Sequence, residues 1–174
     1  ELVKSGARAA YSCKEAAQGS EIVITMLPDS TDAEQTILGP GGILEGAEPS
    51  SVIINMSSIA PLVSQWIAAD VAKMDVDMLD ATISGGQTGA VAGSLAIMES
   101  GRQDVFDRCL PILRSLGKSA VRVGKVGAGN FVKLANQNIV ATNIQAFGEA
   151  FVLAPKIGTN PELVFQGMKE NRYR

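Results

Sequence analysis

The sequence contains no histidine and only two cysteines, which excludes several kinds of functional site at the outset. Without histidine the chain lacks both the usual base of a catalytic triad and the commonest protein ligand of a metal. Acid–base groups must then be lysine, aspartate, glutamate, tyrosine or cysteine. Cys13 and Cys109 lie far apart and do not form a Cys-x-x-Cys pair. The sequence therefore predicts no metal site and no disulfide framework, and it indicates a reducing compartment, the cytoplasm.

Basic residues are also in the minority, with 15 Lys and Arg against 18 Asp and Glu and a net charge of −3. They are nowhere clustered, so neither a nucleic acid nor an anionic membrane surface is an expected partner. No apolar run is long enough to span a bilayer, and we find no initiating methionine or signal sequence. At 174 residues and 46% hydrophobic, the composition is typical of one globular domain with a second begun.

Short apolar runs alternate with helical segments through most of the chain. Thr31 to Glu34 reads as a capping box, Pro61 can open a helix, and residues 103–115 show helical spacing. The run at residues 22–27 is continuously apolar, as in a strand buried on both faces. This alternation predicts an α/β fold with a mostly parallel sheet. The predicted strands are residues 22–27, 52–56, 76–82, 94–98 and 119–123.

A different pattern follows residue 127. No strong helix breaker occurs between about residue 130 and Pro155, and apolar residues recur at helical spacing. A helix of roughly 25 residues would be about 38 Å long, more than the flank of a small α/β domain requires. We therefore expect it to begin an all-helical C-terminal domain, with domains at residues 1–126 and 127–174. Asn160-Pro161 predicts a further helix start, and both ends of the sequence suggest part of a longer protein.

Two glycine motifs partly resemble nucleotide-binding loops. Gly117-Lys118-Ser119 has isoleucine where a P-loop requires its first glycine, and it precedes a strand, so we interpret it as a turn. Gly127-x-Gly129 precedes a helix, but Val132 occupies the position of the third glycine. A tight turn is favoured there over a dinucleotide loop.

Two features point more directly to chemistry. Ser84-Gly85-Gly86 follows a strand, and its unshielded backbone N–H groups with a hydroxyl suit a carboxylate, although a plain turn explains it as well. Lys133 lies in an otherwise uncharged stretch, with Asn136 and Gln137 one turn further on. A lysine in such surroundings is a candidate general acid, the alternative being a solvated lysine on an amphipathic helix.

Four motifs in order resemble the β-hydroxyacid dehydrogenases, the family of 3-hydroxyisobutyrate dehydrogenase, over essentially the whole chain. The last of them is most similar to the tartronate semialdehyde reductase branch. The motifs are ITMLPDS at residues 24–30, NMSSIAP at 55–61, LDATISGGQTGAVAGSLAIM at 79–98 and GAGNFVKLANQ at 127–137.

The resemblance implies hydride transfer between NAD or NADP, with NAD slightly favoured, and a small 3-oxo acid. Tartronate semialdehyde is the favoured substrate; succinic semialdehyde, glyoxylate and methylmalonate semialdehyde stay open. Lys133 would be the general acid, and the resemblance also implies a homo-oligomer formed through the helical domain. The implied cofactor residues are Met26, Leu27, Pro28 and Ser58, and the implied substrate residues are Ser84, Gly85, Gly86, Asn136 and Gln137.

The chain also departs from the family pattern. Thr82-Ile83 replaces Pro-Val, and Glu99-Ser100-Gly101 stands where Val-Gly-Gly is usual. The family's glycine-rich Gly-x-Gly-x-x-Gly loop and first strands are not in this sequence. We therefore expect an incomplete Rossmann-like sheet and a chain that is inactive on its own. The alternative to an enzyme is a non-catalytic dehydrogenase-like scaffold or binding module, against which the presence of Lys133 argues.

Overall fold

The structure is a computed structural model that describes residues 2–170. The chain divides into two compact units, Glu1–Lys133 and Leu134–Arg174. The strands are β1 (Ile22–Thr25), β2 (Val52–Asn55), β3 (Asp77–Ser84), β4 (Leu95–Ser100) and β5 (Gly117–Gly124). The helices are α1 (Cys13–Ala17), α2 (Ser30–Leu38), α3 (Pro61–Ala72), α4 (Gly86–Val91), α5 (Gln103–Leu116), α6 (Ala128–Lys156) and α7 (Pro161–Glu170), with 3₁₀ turns at Leu2–Ser5 and Ile43–Glu45.

The five strands form one sheet in sequence order, and three of its four neighbouring pairs are parallel. This confirms the predicted α/β fold with a mostly parallel sheet. The exception is β4, which runs antiparallel to β3. Only residues 85–94 connect these two strands, and a parallel crossover needs a dozen residues or more, so the chain turns back. The longer connection through α5 allows β5 to run parallel to β4.

Helices cover both faces of the sheet and bury two apolar clusters. One cluster lies beneath α5, where Leu113 is fully buried, and the other lies against α2 and α3, where Ile67 is fully buried. Strand β2 serves both clusters, because Val52 and Ile54 face the first and Ile53 faces the second. Burial of each of these side chains contributes about 1.5–3 kcal/mol to the free energy of folding, so this interior strand stabilises the packing on both faces of the sheet.

Strand β1 is less buried than its continuous apolar sequence predicts. Ile24 is 42% exposed, whereas all four residues of β2 are buried. The reason is position, because β1 is the edge strand of the described sheet. The prediction that β1 is buried on both faces is therefore wrong for the described part of the chain.

Two other local predictions need correction, and one is confirmed. Helix α2 is capped two residues before Thr31, by Asp29, whose Oδ1 accepts the N–H of Asp32 at 2.9 Å. Helix α3 begins at Pro61, as predicted. The turn predicted at residues 117–119 is wrong, since these residues begin β5 and pair with β4.

The predicted long helix is confirmed. Helix α6 has 29 residues, about 44 Å at 1.5 Å per residue, and Pro155 lies within its last turn. In the second unit, the ring of Phe151 lies 6.3 Å from that of Phe147 and 6.4 Å from that of Phe165, measured between centroids. These contacts pack α7 against α6 within the second unit. The domain division at residues 126/127 stays a prediction.

Candidate active site

The predicted cofactor and substrate segments of the first unit lie at one edge of the sheet. Strands β1, β2 and β3 are parallel, so their carboxyl ends meet at the same edge. Residues 26–28 follow β1, Ser58 follows β2, and residues 84–86 end β3 and begin α4. Ligands of open α/β sheets bind beyond such carboxyl ends, so the topology brings these segments to the edge where a ligand is expected.

The loops after β1 and β2 are fastened to each other by short polar contacts. The Leu27 N–H donates to the Ser57 hydroxyl at 2.8 Å, and the Ser57 N–H donates to Asn55 Oδ1 at 3.1 Å. Ser57 is fully buried by these contacts, whereas the neighbouring Ser58 is exposed. Of the two serines, Ser57 therefore holds the loops together, and Ser58 is the one that faces solvent.

The segment after β3 requires glycine. Gly85 has φ +136°, a conformation that disfavours other residues, and a Cβ there would lie 3.2 Å from Leu95 Cδ2. Gly86, with φ +59°, begins α4 and has open space around it. Ser84 is half-buried and both glycines are exposed. The backbone here is accessible to solvent, and its predicted role in binding a carboxylate stays a prediction.

Lys133 is the sixth residue of α6 and is half-buried. It is the last residue of the first unit, and the predicted substrate residues Asn136 and Gln137 belong to the second unit. Asn136 is half-buried and Gln137 is exposed. The assignment of a role to any of these three side chains stays a prediction.

A buried polar cluster that we did not expect from the sequence lies where α6 begins. The carboxylate of Asp80, in the middle of β3, accepts three hydrogen bonds. Its Oδ2 accepts the Gly127 N–H at 2.9 Å and the Ser100 hydroxyl at 3.1 Å, and its Oδ1 accepts the side-chain amide of Asn130. The Ser100 hydroxyl in turn accepts the Gly129 N–H at 3.0 Å. The N–H groups at the start of a helix have no acceptors within that helix. Here Asp80 accepts the N–H of Gly127, and Ser100 accepts the N–H of Gly129.

The first turn of α6 also lies directly against the sheet backbone. The Thr82 hydroxyl donates to the Gly129 carbonyl at 3.1 Å. A Cβ on Gly129 would lie 2.7 Å from the Met98 carbonyl oxygen, so only glycine permits this approach. The Gly127-x-Gly129 pattern is thus explained by the packing of a helix start, in agreement with the tight-turn interpretation.

Asn130 extends the polar cluster to the loop after β2. While its amide nitrogen donates to Asp80, its Oδ1 accepts the Ile59 N–H at 2.8 Å. Ile59 directly follows Ser58, so the Asn130 side chain joins β3, α6 and that loop. Burial raises the pKa of the Asp80 carboxyl, and the hydrogen bonds from Gly127, Ser100 and Asn130 act in the opposite direction.

The signals for this cluster were weak but present in the sequence. An aspartate inside the apolar run of β3 and an asparagine in the first turn of a helix are both unusual unless each finds a partner. Glu99, on β4, is a second buried carboxyl group that we did not expect from the sequence. It is fully buried, and neither of its oxygens has a hydrogen-bond partner among residues 2–170.

Two hollows of the described residues lie away from this edge of the sheet. One of about 490 Å³ opens at the amino ends of β1 and β2, beside Glu21 and Ser51, and another of about 600 Å³ is lined in part by Arg102 and Arg122. Neither includes a predicted site residue. Within residues 2–170 no three His, Cys, Asp or Glu side chains come together as metal ligands. None of the described helices combines the length and apolar character that crossing a membrane requires.

Comparison with known proteins identifies both parts of the chain. Residues 1–127 match the family described as the NAD binding domain of 6-phosphogluconate dehydrogenase. Residues 127–171 match the family described as NAD-binding of NADP-dependent 3-hydroxyisobutyrate dehydrogenase.

Individual relatives match nearly the whole chain. It is 38% identical to 2-hydroxy-3-oxopropionate reductase of Escherichia coli, over 97% of this chain and 58% of the relative. It is 37% identical to 2-(hydroxymethyl)glutarate dehydrogenase of Eubacterium barkeri, over 92% of this chain and 54% of the relative. The solved Mycobacterium tuberculosis 3-hydroxyisobutyrate dehydrogenase with L-serine superimposes with a TM-score of 0.88 at 30% identity, over 95% of this chain and 56% of that one. The chain thus spans little more than half the length of each.

Proposed function

Because the chain belongs to the 3-hydroxyisobutyrate dehydrogenase-like family, we propose that its protein is an NAD(P)-dependent oxidoreductase that reduces a small 3-oxo acid to the hydroxy acid. We propose tartronate semialdehyde, which is 2-hydroxy-3-oxopropionate, as the substrate. Its support is the 38% identity to the reductase named for that compound, together with the KLANQ segment around Lys133. We propose NAD or NADP as the cofactor, with NAD favoured.

The residues present fit the nicotinamide end of such a cofactor. Met26 is 59% exposed, and Pro28 and Ser58 are also exposed, at the carboxyl edge of β1 and β2. This leaves Leu27 and its neighbours available to lie along the ligand. The sequence holds no Gly-x-Gly-x-x-Gly loop, so we assign no pyrophosphate contact to this chain. A bound nicotinamide cofactor supplies the hydride, and the protein supplies position and charge.

Lys133 is the residue to which we assign the proton transfer. Negative charge develops on the carbonyl oxygen as its carbon is reduced, and the Lys133 ammonium group stabilises that charge and donates a proton to the oxygen. In the direction of oxidation the neutral amine takes the same proton back. The N–H groups of Gly85 and Gly86 and the Ser84 hydroxyl hold the substrate carboxylate, which fixes the carbonyl for reaction. Asn136 and Gln137 orient the lysine or a substrate hydroxyl.

The observation that carries this proposal is the contact between Asn130 and Ile59. It fastens the first turn of α6 to the loop that holds Ser58, at 2.8 Å. Lys133 follows Asn130 by three residues, close to one helical turn. The lysine is therefore on a helix whose start is fixed against the edge where the cofactor and substrate segments lie.

The test is the substitution Lys133→Ala in the full-length protein, assayed by oxidation of NADH and NADPH with each candidate 3-oxo acid. We expect kcat to fall by about 10²–10⁴-fold, the usual contribution of a general acid, with the Kd of the cofactor little changed. Lys125→Ala is the matched control, because Lys125 is exposed and precedes α6. A decrease smaller than tenfold in Lys133→Ala would show that another group protonates the oxygen.

We also propose that the protein is a homo-oligomer assembled through its helical part and located in the cytoplasm. In the second unit Ile139, Ile144 and Val152 are each more than 60% exposed, and such apolar side chains favour association. Cys13 and Cys109 are both free thiols, consistent with a reducing compartment. Light scattering of the full-length protein measures the oligomeric state, and a monomer would contradict the first of these proposals.

A further inference from the structure

We propose that Asp80 and Asn130 are positioning residues that set where Lys133 stands in the active site. The inference rests on the proposed function, because it assigns to a buried pair the geometry of the lysine that the proposed reaction uses. Neither residue is near enough to solvent to be a substrate contact, since Asp80 is fully buried and Asn130 is 1% exposed. Their effect on the reaction is therefore indirect, through the elements that they join, of which α6 carries Lys133.

Asn130 is held at both ends of its side-chain amide. Its nitrogen donates to Asp80 Oδ1, and its oxygen accepts the Ile59 N–H at 2.8 Å. A rotation of the amide by half a turn would place donor against donor at Ile59 and acceptor against acceptor at Asp80. Only one orientation of Asn130 therefore satisfies the pair, which is what a positioning contact requires.

Asp80 also fixes Gly127, the residue that directly precedes α6. The Gly127 N–H donates to Oδ2 of the carboxylate at 2.9 Å, and the carboxylate's negative charge lies at the positive end of the helix dipole. The Ser100 hydroxyl donates to the same carboxylate and accepts the Gly129 N–H, so it links Asp80 to the first turn of α6. Three residues at the helix start, Gly127, Gly129 and Asn130, are thus fixed to the sheet, and Lys133 follows Asn130 by three residues.

Catalysis is sensitive to small displacements of the reacting groups. A shift of about 1 Å in a catalytic group can lower the rate by about a hundredfold. Lys133 lies about 4.5 Å along the helix axis from Asn130, so a shift or tilt of the first turn reaches the lysine with little attenuation. Loss of the pair should therefore lower kcat much more than it changes cofactor binding.

The substitution Asp80→Asn tests this because it cannot be accommodated by rotation. If the new amide oxygen accepts from Gly127 and Ser100, its nitrogen opposes the nitrogen of Asn130; in the other orientation it opposes the Gly127 N–H. Asn130→Asp alone instead places two carboxylates together. The exchange variant Asp80→Asn/Asn130→Asp restores every contact, since the amide at position 80 donates to the carboxylate at position 130, which still accepts from Ile59.

The experiment measures kcat, KM and the pH dependence of kcat for these variants in the full-length protein, with kcat expressed per folded cofactor-binding site. We expect each single substitution to lower kcat by about 10- to 100-fold, to change the KM for the cofactor by less than about threefold and to displace the pH profile. The exchange variant should recover kcat to within about threefold of the original protein. Ser51→Ala is the control, because it removes a buried hydroxyl whose hydrogen bond to the Glu48 carbonyl lies at the opposite end of the sheet. It should lower stability and leave kcat and the pH profile unchanged.

Two outcomes would overturn the inference. One is an unchanged kcat per folded site in Asp80→Asn, and the other is an exchange variant as impaired as the single variants. If Asp80→Asn does not fold, Asn130→Ala decides the matter, since an unaltered kcat in that variant would also refute a positioning role. Lys133→Ala, measured alongside, separates this inference from the proposed function. Full activity in Lys133→Ala refutes the proposed role of the lysine, whereas a large loss there with normal kcat in Asp80→Asn refutes only the positioning.

Discussion

The buried carboxyl group of Glu99 leads to a prediction about stability that can be worked out from its surroundings. Glu99 is fully buried on β4, and a Cβ on Gly101 would lie 3.2 Å from its Oε1. Burial raises the pKa of Glu99 to about 8; attraction to Arg122 on β5 lowers it, and repulsion from Asp80 on β3 and Asp107 on α5 raises it further. The folded protein therefore holds Glu99 as a neutral acid at pH 7.

The sign of the pH dependence follows from this raised pKa. As the pH rises above about 4.5, the unfolded chain loses the Glu99 proton while the folded chain keeps it up to about 8. The free energy of unfolding therefore falls across this window and is flat above it. The full shift corresponds to about 5 kcal/mol at about 1.4 kcal/mol per pH unit. Solvent screening and local relaxation reduce this, and we expect roughly 2–3 kcal/mol.

The perturbation is Glu99→Gln, which keeps the size of the side chain and removes the ionisation. Urea unfolding followed by circular dichroism gives the free energy of unfolding of both proteins between about pH 5 and pH 9. The variant should resemble the original protein at the acid end and exceed its stability by about 2–3 kcal/mol at the alkaline end. Glu34→Gln, at an exposed position on α2, should run parallel to the original protein. Parallel curves for Glu99→Gln would refute the reasoning.

Two further predictions concern the substrate segment and the start of α6. Ser84→Ala should raise KM for a 3-oxo acid by an amount equivalent to about 1–3 kcal/mol in steady-state assays, while an aldehyde without a carboxylate should be a poor substrate and be almost unaffected; equal effects on both would contradict the carboxylate role. Gly129→Ala should lower the free energy of unfolding by more than about 2 kcal/mol, because its Cβ would lie 2.7 Å from the Met98 carbonyl oxygen. Gly148→Ala, in the same helix with open space around it, should raise that free energy by about 0.5–1 kcal/mol, and urea unfolding of the pair shows whether the close approach is real.

The order of strands and helices could be predicted from the sequence because it depends on local patterns. Strand β2 is a short apolar run because both of its faces are buried, and Pro61 begins α3 because proline lacks the N–H that a helix start leaves without a partner. The direction of β4 was not predicted, although the ten residues between β3 and β4 contain the reason. Connection length decides whether a parallel crossover is possible, and it depends only on where the two strands end and begin in the sequence.

The loops of the candidate site could be predicted because they follow strands and carry glycine or serine. The cluster around Asp80 could not, since its contacts join residues far apart in the chain. Asp80 and Asn130 are separated by 50 positions, and Asn130 and Ile59 by 71. Hydrophobic periodicity describes one helix or strand at a time, so it cannot predict a contact between residues so far apart in the sequence. The sequence shows only that a charged residue stands in an apolar strand and must find partners somewhere.

Asp80 and Glu99 together show why residue type alone does not decide the state of a buried acid. Asp80 is paired with Ser100, and Glu99 with Ala81, at adjacent positions of the same antiparallel ladder. Successive residues of a strand face opposite sides of the sheet. The side chains of Asp80 and Ser100 face the start of α6, whose N–H groups are donors. Glu99 turns towards the apolar cluster beneath α5, to which Ala81 belongs. One carboxyl group therefore meets donors that stabilise its charge, and the other meets hydrocarbon and keeps its proton. Since repulsion from Asp80 also raises the pKa of Glu99, the charge that fixes α6 helps to hold its neighbour neutral.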